Sequence, residues 1–389
     1  MRLDFVEYCQ DEDLPSQWRL DGCQLSNINL IVGKNASGKS RILKAINLIS
    51  NLLSGDEVIR PDARLKEWKL IFDSDREDHK KVYILKIENG QVVREIFTIG
   101  NKTLLDRKES GEGKVWAEKL RQDIDFQTPL DGVAIFKRRD SIQHPQFEEI
   151  YIWANLLRYY EFGTELGKRY LGSINTKNIY LKDTDKLVDI FISGQKKLGE
   201  SFLKAIKLDM LSIGYNISEI ETKSPGTYII FDEDDEIPMK LQCLYVQESD
   251  LKAKTEQELM SQGMFRALSL IIQVNYSLLA QKPSCILIDD IGEGLDFERS
   301  SAMIKLLIDK AKTGLVQLIM TTNDRFIMNG VPLEYWSVIE RKVGLTKLHN
   351  THNSKEIFDD FKFTGLNNFD FFATQFYIEG FGDEENIEE

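Results

Sequence analysis

The stretch NINLIVGKNASGKS, Asn27–Ser40, decides the fold. Asn27–Val32 predicts a buried strand, and Arg41–Leu53 (RILKAINLISNLL) has its apolar residues at helical spacing, so the order is strand, loop, helix. The loop matches GxxxxGKS in the context that a phosphate-binding loop requires. The predicted nucleotide contacts are Gly33, Lys34, Asn35, Ala36, Ser37, Gly38, Lys39 and Ser40.

Each residue type in this loop suits a phosphate chain. Glycines let backbone amides turn toward the phosphates, Lys39 brings positive charge to the β and γ oxygens, and the Ser40 hydroxyl can bind magnesium. ATP and Mg²⁺ are therefore the predicted ligand and cofactor.

A second apolar run, Cys285–Asp289 (CILID), predicts a strand that ends in a carboxylate. We expect Asp289 to orient magnesium and the adjacent Asp290 to orient or deprotonate the attacking water. A helix over Glu298–Lys312 and a strand over Val316–Thr321 follow. This alternating order predicts an α/β fold with a parallel sheet.

Composition narrows the class of protein. The 389 residues are 42% hydrophobic and 29% charged, which is typical of a folded chain, and no apolar run reaches the roughly 20 residues of a membrane span. The N-terminus lacks the pattern of a signal peptide, so we expect a cytoplasmic protein without a membrane partner. Four cysteines without CxxC spacing predict neither a zinc site nor disulfides. The net charge of -13 does not indicate a nucleic-acid partner, although it leaves a local basic groove open.

Cys285–Ser300 (CILIDDIGEGLDFERS), together with Asn27–Ser40, resembles the ABC-type ATPases of the AAA group that are related to RecF and to the overcoming-lysogenization-defect proteins. The resemblance extends from about residue 1 to about residue 376. It implies a two-lobed, ABC-type P-loop NTPase head with a β-rich first lobe, a parallel-sheet core and a helical insertion. It also implies a homodimer, or a higher homo-oligomer, that closes around ATP.

The same resemblance assigns two further motifs. Met260–Arg266 (MSQGMFR) is similar to the ABC signature, in which Ser261 and Gly263 would grip the γ-phosphate held by the other subunit. Gly294-Leu295-Asp296 resembles the D-loop, so Asp296 would cross the dimer interface. The alternatives are an ordinary helix cap and a plain turn.

Two positions depart from the family pattern. The switch histidine is replaced by Asn323, and the catalytic glutamate is replaced by the shorter Asp290. An amide can bond a phosphate but cannot become cationic, so both departures favour slow turnover. The glutamine that binds magnesium in this family is predicted to be Gln143, in RRDSIQHPQ, with Gln127 as its rival.

The predicted organisation is one ATPase head over residues 1–389. Residues 1–145 form the phosphate-loop lobe with an antiparallel β region, and residues 146–225 form a helical insertion that begins with a helix over Gln146–Tyr160. Residues 226–345 carry the signature and the Walker B strand, after strands at Thr227–Phe231 and Met239–Val246. Residues 346–389 form an aromatic segment with an acidic tail, where the aromatic side chains either pack on the sheet or dock a partner.

The function that the resemblance implies is ATP-driven dimerisation that controls a separately encoded effector, a nuclease or a toxin, in antiphage defence or DNA maintenance. The alternative is a nucleotide-gated scaffold that binds ATP with little turnover. A transporter ATPase subunit is disfavoured, because the first lobe is β-rich and no membrane-docking segment is evident.

Overall fold

The computed structural model describes residues 1–173, 181–225 and 241–381. The chain forms two compact units: unit 1 is Met1–Leu157 with Ile319–Glu389, and unit 2 is Arg158–Leu318. The predicted strand Thr227–Phe231 and the acidic segments Phe231–Glu236 and Gly382–Glu389 lie outside the described residues. The described residues contain no helix that combines the length and the apolar character needed to cross a bilayer. The predicted domain boundaries stay predictions.

Unit 1 is built around a long mixed sheet. The N-terminal stretch supplies nine strands and three helices, which are β1 (Leu3–Gln10), β2 (Trp18–Gln24), β3 (Ile28–Val32), α1 (Lys39–Ser54), β4 (Lys66–Phe72), β5 (Lys81–Glu88), β6 (Gln91–Ile99), β7 (Lys102–Arg107), β8 (Glu112–Ala117), β9 (Gln122–Gln127), α2 (Ala134–Lys137) and α3 (Pro145–Leu156).

Unit 2 follows along the chain. Its elements are β10 (Arg158–Glu161), β11 (Gly172–Ser173), α4 (Leu187–Ser212), β12 (Ile217–Lys223), β13 (Leu241–Glu248), β14 (Thr255–Glu256), a 3₁₀ turn (Gln257–Leu259), α5 (Gln262–Leu279), β15 (Ser284–Asp289) and α6 (Phe297–Ala311). The chain then returns to unit 1 through β16 (Val316–Thr322), α7 (Arg325–Gly330), a 3₁₀ turn (Leu333–Tyr335), β17 (Trp336–Lys342), β18 (Leu345–Asn350), α8 (Lys355–Phe361), α9 (Asn368–Ala373) and α10 (Phe376–Glu379).

The sheet of unit 1 runs in the order β16-β3-β17-β18-β2-β1-β4-β5-β6-β7-β8-β9. Strands β3 and β17 pair in parallel, as do β18 and β2, whereas β1, β2 and β4 to β9 form a continuous antiparallel ladder. All five residues of β3 are buried, and α1 buries one apolar face that includes Ile42, Ile46 and Ile49. The strand, loop and helix predicted from Asn27–Leu53 are therefore confirmed, and so is the mixed α/β class.

A buried ion pair organises the far part of this sheet. Glu95 of β6 and Arg107 of β7 are both fully buried, with 3.3 Å between Oε2 and Nη1. Arg107 also donates to the carbonyls of Gly132 and Pro129, and Glu95 accepts the first backbone N–H groups of α2. These bonds fix the segment between β9 and α2, because a buried charge must have its partners in place.

Unit 2 contains a parallel pair, β10 with β15, and a small antiparallel sheet in which β13 pairs with β11, β12 and β14. Helix α4 is interrupted at Gly199, which has non-helical φ and ψ, so the prediction of two helices between Lys186 and Gly214 is confirmed. The predicted helix Gln146–Tyr160 is wrong at its C-terminal end. It stops at Leu156, since Leu157 is extended and the next four residues pair with β15.

The C-terminal aromatic segment divides into two groups. Phe358, Phe361, Phe371 and Tyr377 are buried, and the rings of Phe358 and Phe361 lie 4.6 and 5.0 Å from that of Phe371. Phe363, in contrast, is 86% exposed. The buried rings pack in the core, as one of the two alternatives predicted. Docking of a partner on exposed rings such as Phe363 stays a prediction.

Candidate functional site

In unit 1, the loop Gly33–Ser40 leaves the start of α1 open to an anion. The helix begins at Lys39, and its N-cap residue, Gly38, has φ of +111° and gives no side-chain cap. No acidic residue lies in the first turn of this helix. Because the first amides of a helix lack partners within the helix and carry partial positive charge, this end suits a phosphate.

The side chains of the loop also fit a phosphate chain. Lys39 is only 6% exposed, and its Nζ donates to the carbonyls of Gly33 at 2.9 Å and Lys34 at 3.2 Å. The buried hydroxyl of Ser37 has no hydrogen-bond partner among the described residues. A Cβ on Gly33 would lie 2.7 Å from that hydroxyl, so glycine keeps the cradle open. The buried ammonium group of Lys39, the buried hydroxyl of Ser37 and a helix start without a side-chain cap are groups that suit an oxyanion.

Three contacts that the sequence did not reveal lie at or beside this loop. Arg341 of β17 donates to the carbonyl of Ala36. The guanidinium of Arg41 lies 4.5 Å from the ring centroid of Trp18, and the Trp18 indole donates to Thr346 at 2.9 Å. These contacts involve residues that are distant in sequence, so no local motif predicts them.

Asn323 also lies in unit 1. It is exposed and directly follows β16, the strand next to β3 in the sheet. Asp324, the next residue, caps α7 by accepting from the backbone N–H groups of Phe326 and Ile327. The side-chain amide of Asn323 therefore belongs to a residue between the end of β16 and the N-cap of α7.

The two glutamines proposed for magnesium lie elsewhere in unit 1. The carbonyl of Gln143 accepts from the backbone N–H of Glu118, directly after β8, at 2.8 Å, and Gln127 ends β9. Eight strands separate β3 from β8 in the sheet order, namely β17, β18, β2, β1, β4, β5, β6 and β7. The sheet order therefore gives no support to a magnesium role for Gln143, which stays a prediction.

In unit 2, Asp289 and Asp290 have different environments. Asp289 is buried at the end of β15, whereas Asp290 is half-buried with φ of +54°. Few residues other than glycine tolerate this left-handed conformation, and aspartate and asparagine are the usual exceptions. The backbone at this position thus favours the shorter aspartate over glutamate. The turn continues with a bond of 3.2 Å from the Glu293 N–H to the Asp290 carbonyl.

A carboxylate that the sequence reasoning missed lies beside Asp289. Strands β10 and β15 pair in parallel with Glu161 in register with Asp289. The Tyr159 hydroxyl lies 3.1 Å from Oε1 of Glu161 and 3.3 Å from Oδ2 of Asp289. Burial raises the pKa of Tyr159, and the two neighbouring negative charges raise it further. A clue was present in the sequence, since RYYE (158–161) ends in a carboxylate after β-prone aromatic residues, but the helix predicted through Tyr160 concealed it.

The start of α5 carries the predicted signature residues. Ser261 is exposed and caps the helix, its Oγ accepting from the Met264 N–H at 3.2 Å. Gly263 is buried, and a Cβ there would lie 2.4 Å from the Gly294 carbonyl. Ser261 therefore lies at the surface, whereas Gly263 permits α5 to pack closely on the segment after β15.

Asp296 acts as the N-cap of α6. Its carboxylate accepts from the Arg299 N–H at 2.9 Å and pairs with the Arg299 guanidinium. The backbone bond and then the nearby arginine lower the pKa of Asp296. Arg299 in turn lies 4.4 Å from the ring of Tyr215. This site is an exposed, anionic helix start.

The donors available for a metal are oxygen atoms. Ser40 offers a hydroxyl in unit 1, and Asp289 and Glu161 offer carboxylates in unit 2. Magnesium prefers such ligands and is commonly bound by one or two carboxylates plus substrate phosphates. Two carboxylates that approach the same tyrosine hydroxyl also favour a nearby cation, because like charges raise each other's energy. Each unit thus offers oxygen donors of the kind that magnesium prefers.

Comparison with solved structures identifies the fold. The head of Smc bound to the C-winged helix domain of ScpA has a TM-score of 0.52 at 14% identity, over 90% of this chain and 97% of that one. The Smc head domain with an extended coiled coil, bound to the C-terminal domain of ScpA from Pyrococcus furiosus, has a TM-score of 0.52 at 12% identity, over 92% and 99%. The predicted ABC-type head is confirmed. A comparison with curated protein sequences finds no match.

One sequence family, described as "AAA domain, putative AbiEii toxin, Type IV TA system", matches residues 28–329. This range begins in β3, contains the phosphate loop, the start of α5 and the end of β15, and ends in α7. Membership of a P-loop family implies that nucleotide is the ligand of Gly33–Ser40. The chain therefore belongs to this AAA-domain family, as an ABC-type P-loop ATPase domain.

Proposed function

We propose that this protein binds ATP with magnesium, dimerises around it and hydrolyses it, and that the closed dimer controls a separately encoded effector. The observation that carries the proposal is the phosphate loop, where α1 starts without a side-chain cap or an acidic residue in its first turn and where Lys39 and the Ser37 hydroxyl are buried. Such a site favours an anion with several oxygens, and the GxxxxGKS sequence indicates that this anion is a phosphate chain.

The roles follow from the chemistry of each group. Lys39 and the amides of the loop bind the phosphates, and the phosphate-loop motif and the carboxylate that ends β15 assign Ser40 and Asp289 to magnesium. We add Glu161 to that pair on the strength of its register with Asp289. Bound magnesium would neutralise charge on the phosphate oxygens. Asp290 would orient the attacking water, and Asn323 would donate to the γ-phosphate.

Closure of a dimer is proposed from the signature. Ser261 is exposed at the start of an 18-residue helix, which suits a phosphate held by a second subunit. ATP between two subunits would stabilise the closed form, and hydrolysis would release it, so the bound nucleotide sets the lifetime of that form. The Smc heads above are described with a domain of ScpA bound, and the family description names a toxin system, so we infer an effector in antiphage defence or DNA maintenance.

A second candidate is a scaffold that binds ATP with little turnover. It is favoured by Asp290, whose short side chain stands on a left-handed backbone, and by the uncharged Asn323. The two candidates differ in one measurement. Phosphate release by the purified chain, with and without the product of the neighbouring gene, distinguishes an ATPase from a scaffold.

The first experiment is isothermal titration of ATP into Lys39→Ala. Loss of the ammonium group should weaken binding at least tenfold, because charge-assisted bonds to phosphate are strong. Lys305→Ala is the matched control, since Lys305 is an exposed lysine on α6. If Lys39→Ala bound ATP as tightly as the control, the phosphate-loop assignment would be wrong.

A further inference from the structure

Arg266 joins three backbone segments of unit 2 that are distant in sequence. It lies on the second turn of α5 and is 6% exposed. Its Nη1 donates to the carbonyl of Glu293 at 2.8 Å, and its Nη2 donates to the carbonyl of Thr164 at 3.1 Å. One side chain thus ties the signature helix to the turn after β15 and to the segment after β10.

Two glycines make this junction tight. A Cβ on Gly294 would lie 2.5 Å from Nη1 of Arg266, and Gly294 has φ of +82°. A Cβ on Gly263 would lie 2.4 Å from the Gly294 carbonyl. A side chain at either glycine would therefore have to displace a neighbouring atom of this junction.

The two carbonyls that Arg266 binds belong to segments that lead to the proposed catalytic groups. Glu293 is in the turn that starts at Asp290, and its N–H donates to the Asp290 carbonyl. Thr164 lies three residues beyond Glu161, and its carbonyl also accepts from Gln262 at 3.1 Å. The start of the signature helix is therefore bonded to both segments.

We propose that Arg266 is a positioning residue that couples the signature helix to the turn 290–294 of the same subunit. The inference rests on the proposed function, in which the signature contacts nucleotide held by the partner while Asp290 serves the subunit's own nucleotide. Movement of α5 on contact with one ATP would reach Asp290 through Arg266, and so would link the two sites of the dimer. The planar guanidinium suits this role, since its two terminal nitrogens hold two carbonyls in one fixed plane, which the flexible ammonium group of lysine does not provide.

The test is Arg266→Lys, followed by hydrogen exchange with a non-hydrolysable ATP analogue. In the parent protein, peptides covering 261–266 and 290–294 should gain protection together when the analogue and magnesium are added. In Arg266→Lys, the first peptide should gain protection, while the second exchanges within about twofold of its nucleotide-free rate. ATP affinity should stay within about twofold, and any Hill coefficient of hydrolysis should fall toward one.

Two further variants separate coupling from folding. Gly294→Ala displaces Nη1 without changing Arg266 and should uncouple the same peptides. Arg158→Lys is the structural control, because Arg158 is also buried and donates to the Gln273 carbonyl at 2.9 Å, farther along α5. It should lower the melting temperature yet keep the joint protection.

The outcomes are distinct. Joint protection in Arg266→Lys equal to that of the parent, or its equal loss in Arg158→Lys, overturns the coupling alone. If the parent gains no protection at either peptide although ATP binds, the trans-acting signature of the proposed function fails, and the coupling fails with it.

Discussion

Ser261→Asp tests whether the start of α5 faces a phosphate held by a second subunit. Aspartate caps helices about as well as serine, so the bond now made to the Met264 N–H at 3.2 Å should be replaced and the helix should keep its start. The change therefore adds one negative charge at an exposed position and little else. Ser261→Asn is the matched control, because asparagine caps equally well and is neutral.

The expected penalty follows from Coulomb's law. A carboxylate about 4 Å from a phosphate charge costs about 1 kcal/mol at the dielectric constant of water and about 4 kcal/mol at an effective value of about 20. Dimerisation driven by ATP should thus weaken by about 5-fold to 1000-fold in Ser261→Asp. ATP binding to the single subunit should not change, since the phosphate loop is intact.

The assay is light scattering with ATP and magnesium, followed by a mixing experiment. Lys39→Ala and Ser261→Asp subunits should each hydrolyse ATP more slowly than the parent when tested alone. In a mixed dimer, one composite site carries both lesions while the other pairs an intact loop with an intact signature, so partial ATPase activity should return. Dimerisation of Ser261→Asp equal to that of Ser261→Asn would refute the reasoning.

Three other results are expected. Asp290→Asn should keep ATP affinity but slow phosphate release by about 10²-fold or more and prolong the closed dimer in light scattering, and hydrolysis at the parental rate would move the role to Glu293. Glu161→Gln should raise the magnesium concentration needed for half-maximal ATP binding about tenfold in calorimetry, while binding without magnesium stays unchanged. Arg107→Met should lower the free energy of unfolding in urea by about 3–5 kcal/mol, because it leaves a buried carboxylate unpaired. A loss below about 0.5 kcal/mol, as expected for the exposed Lys108→Met, would show that this ion pair is not structural.

The fold could be predicted best where a motif and a periodic pattern coincide. The strand, loop and helix over β3 and α1 followed from GxxxxGKS and the apolar spacing, and β15, α6 and β16 followed from apolar runs. Strands β7, β8 and β9 were missed, since each has six residues and is rich in charge. Their pairing comes from neighbouring strands, which a single sequence does not show.

The residues of the candidate site, like the fold, could be predicted where a motif exists and not where they depend on contacts between distant residues. Lys39, Asp289 and Ser261 occupy the positions in loop, strand and helix that their motifs predicted. The register between Glu161 and Asp289 could not be predicted, because residues 162–283 lie between the two strands that it joins. The close contact of Gly263 with Gly294 was also hidden. For that reason a Gly263 substitution would disturb packing, and Ser261 is the better residue for testing the interface.

Because β10 and β15 pair in parallel, the segment between them should tolerate an insertion. Everything from Phe162 to Pro283 is one crossover whose two ends lie on adjacent strands, roughly 17 Å apart by ordinary strand geometry. Lengthening such an excursion costs little, because closure entropy grows only slowly with length. Gly199, at the break in α4, is exposed, and a side chain added there would meet nothing within 4 Å. A reporter domain inserted at this point would leave Glu161 and Asp289 side by side.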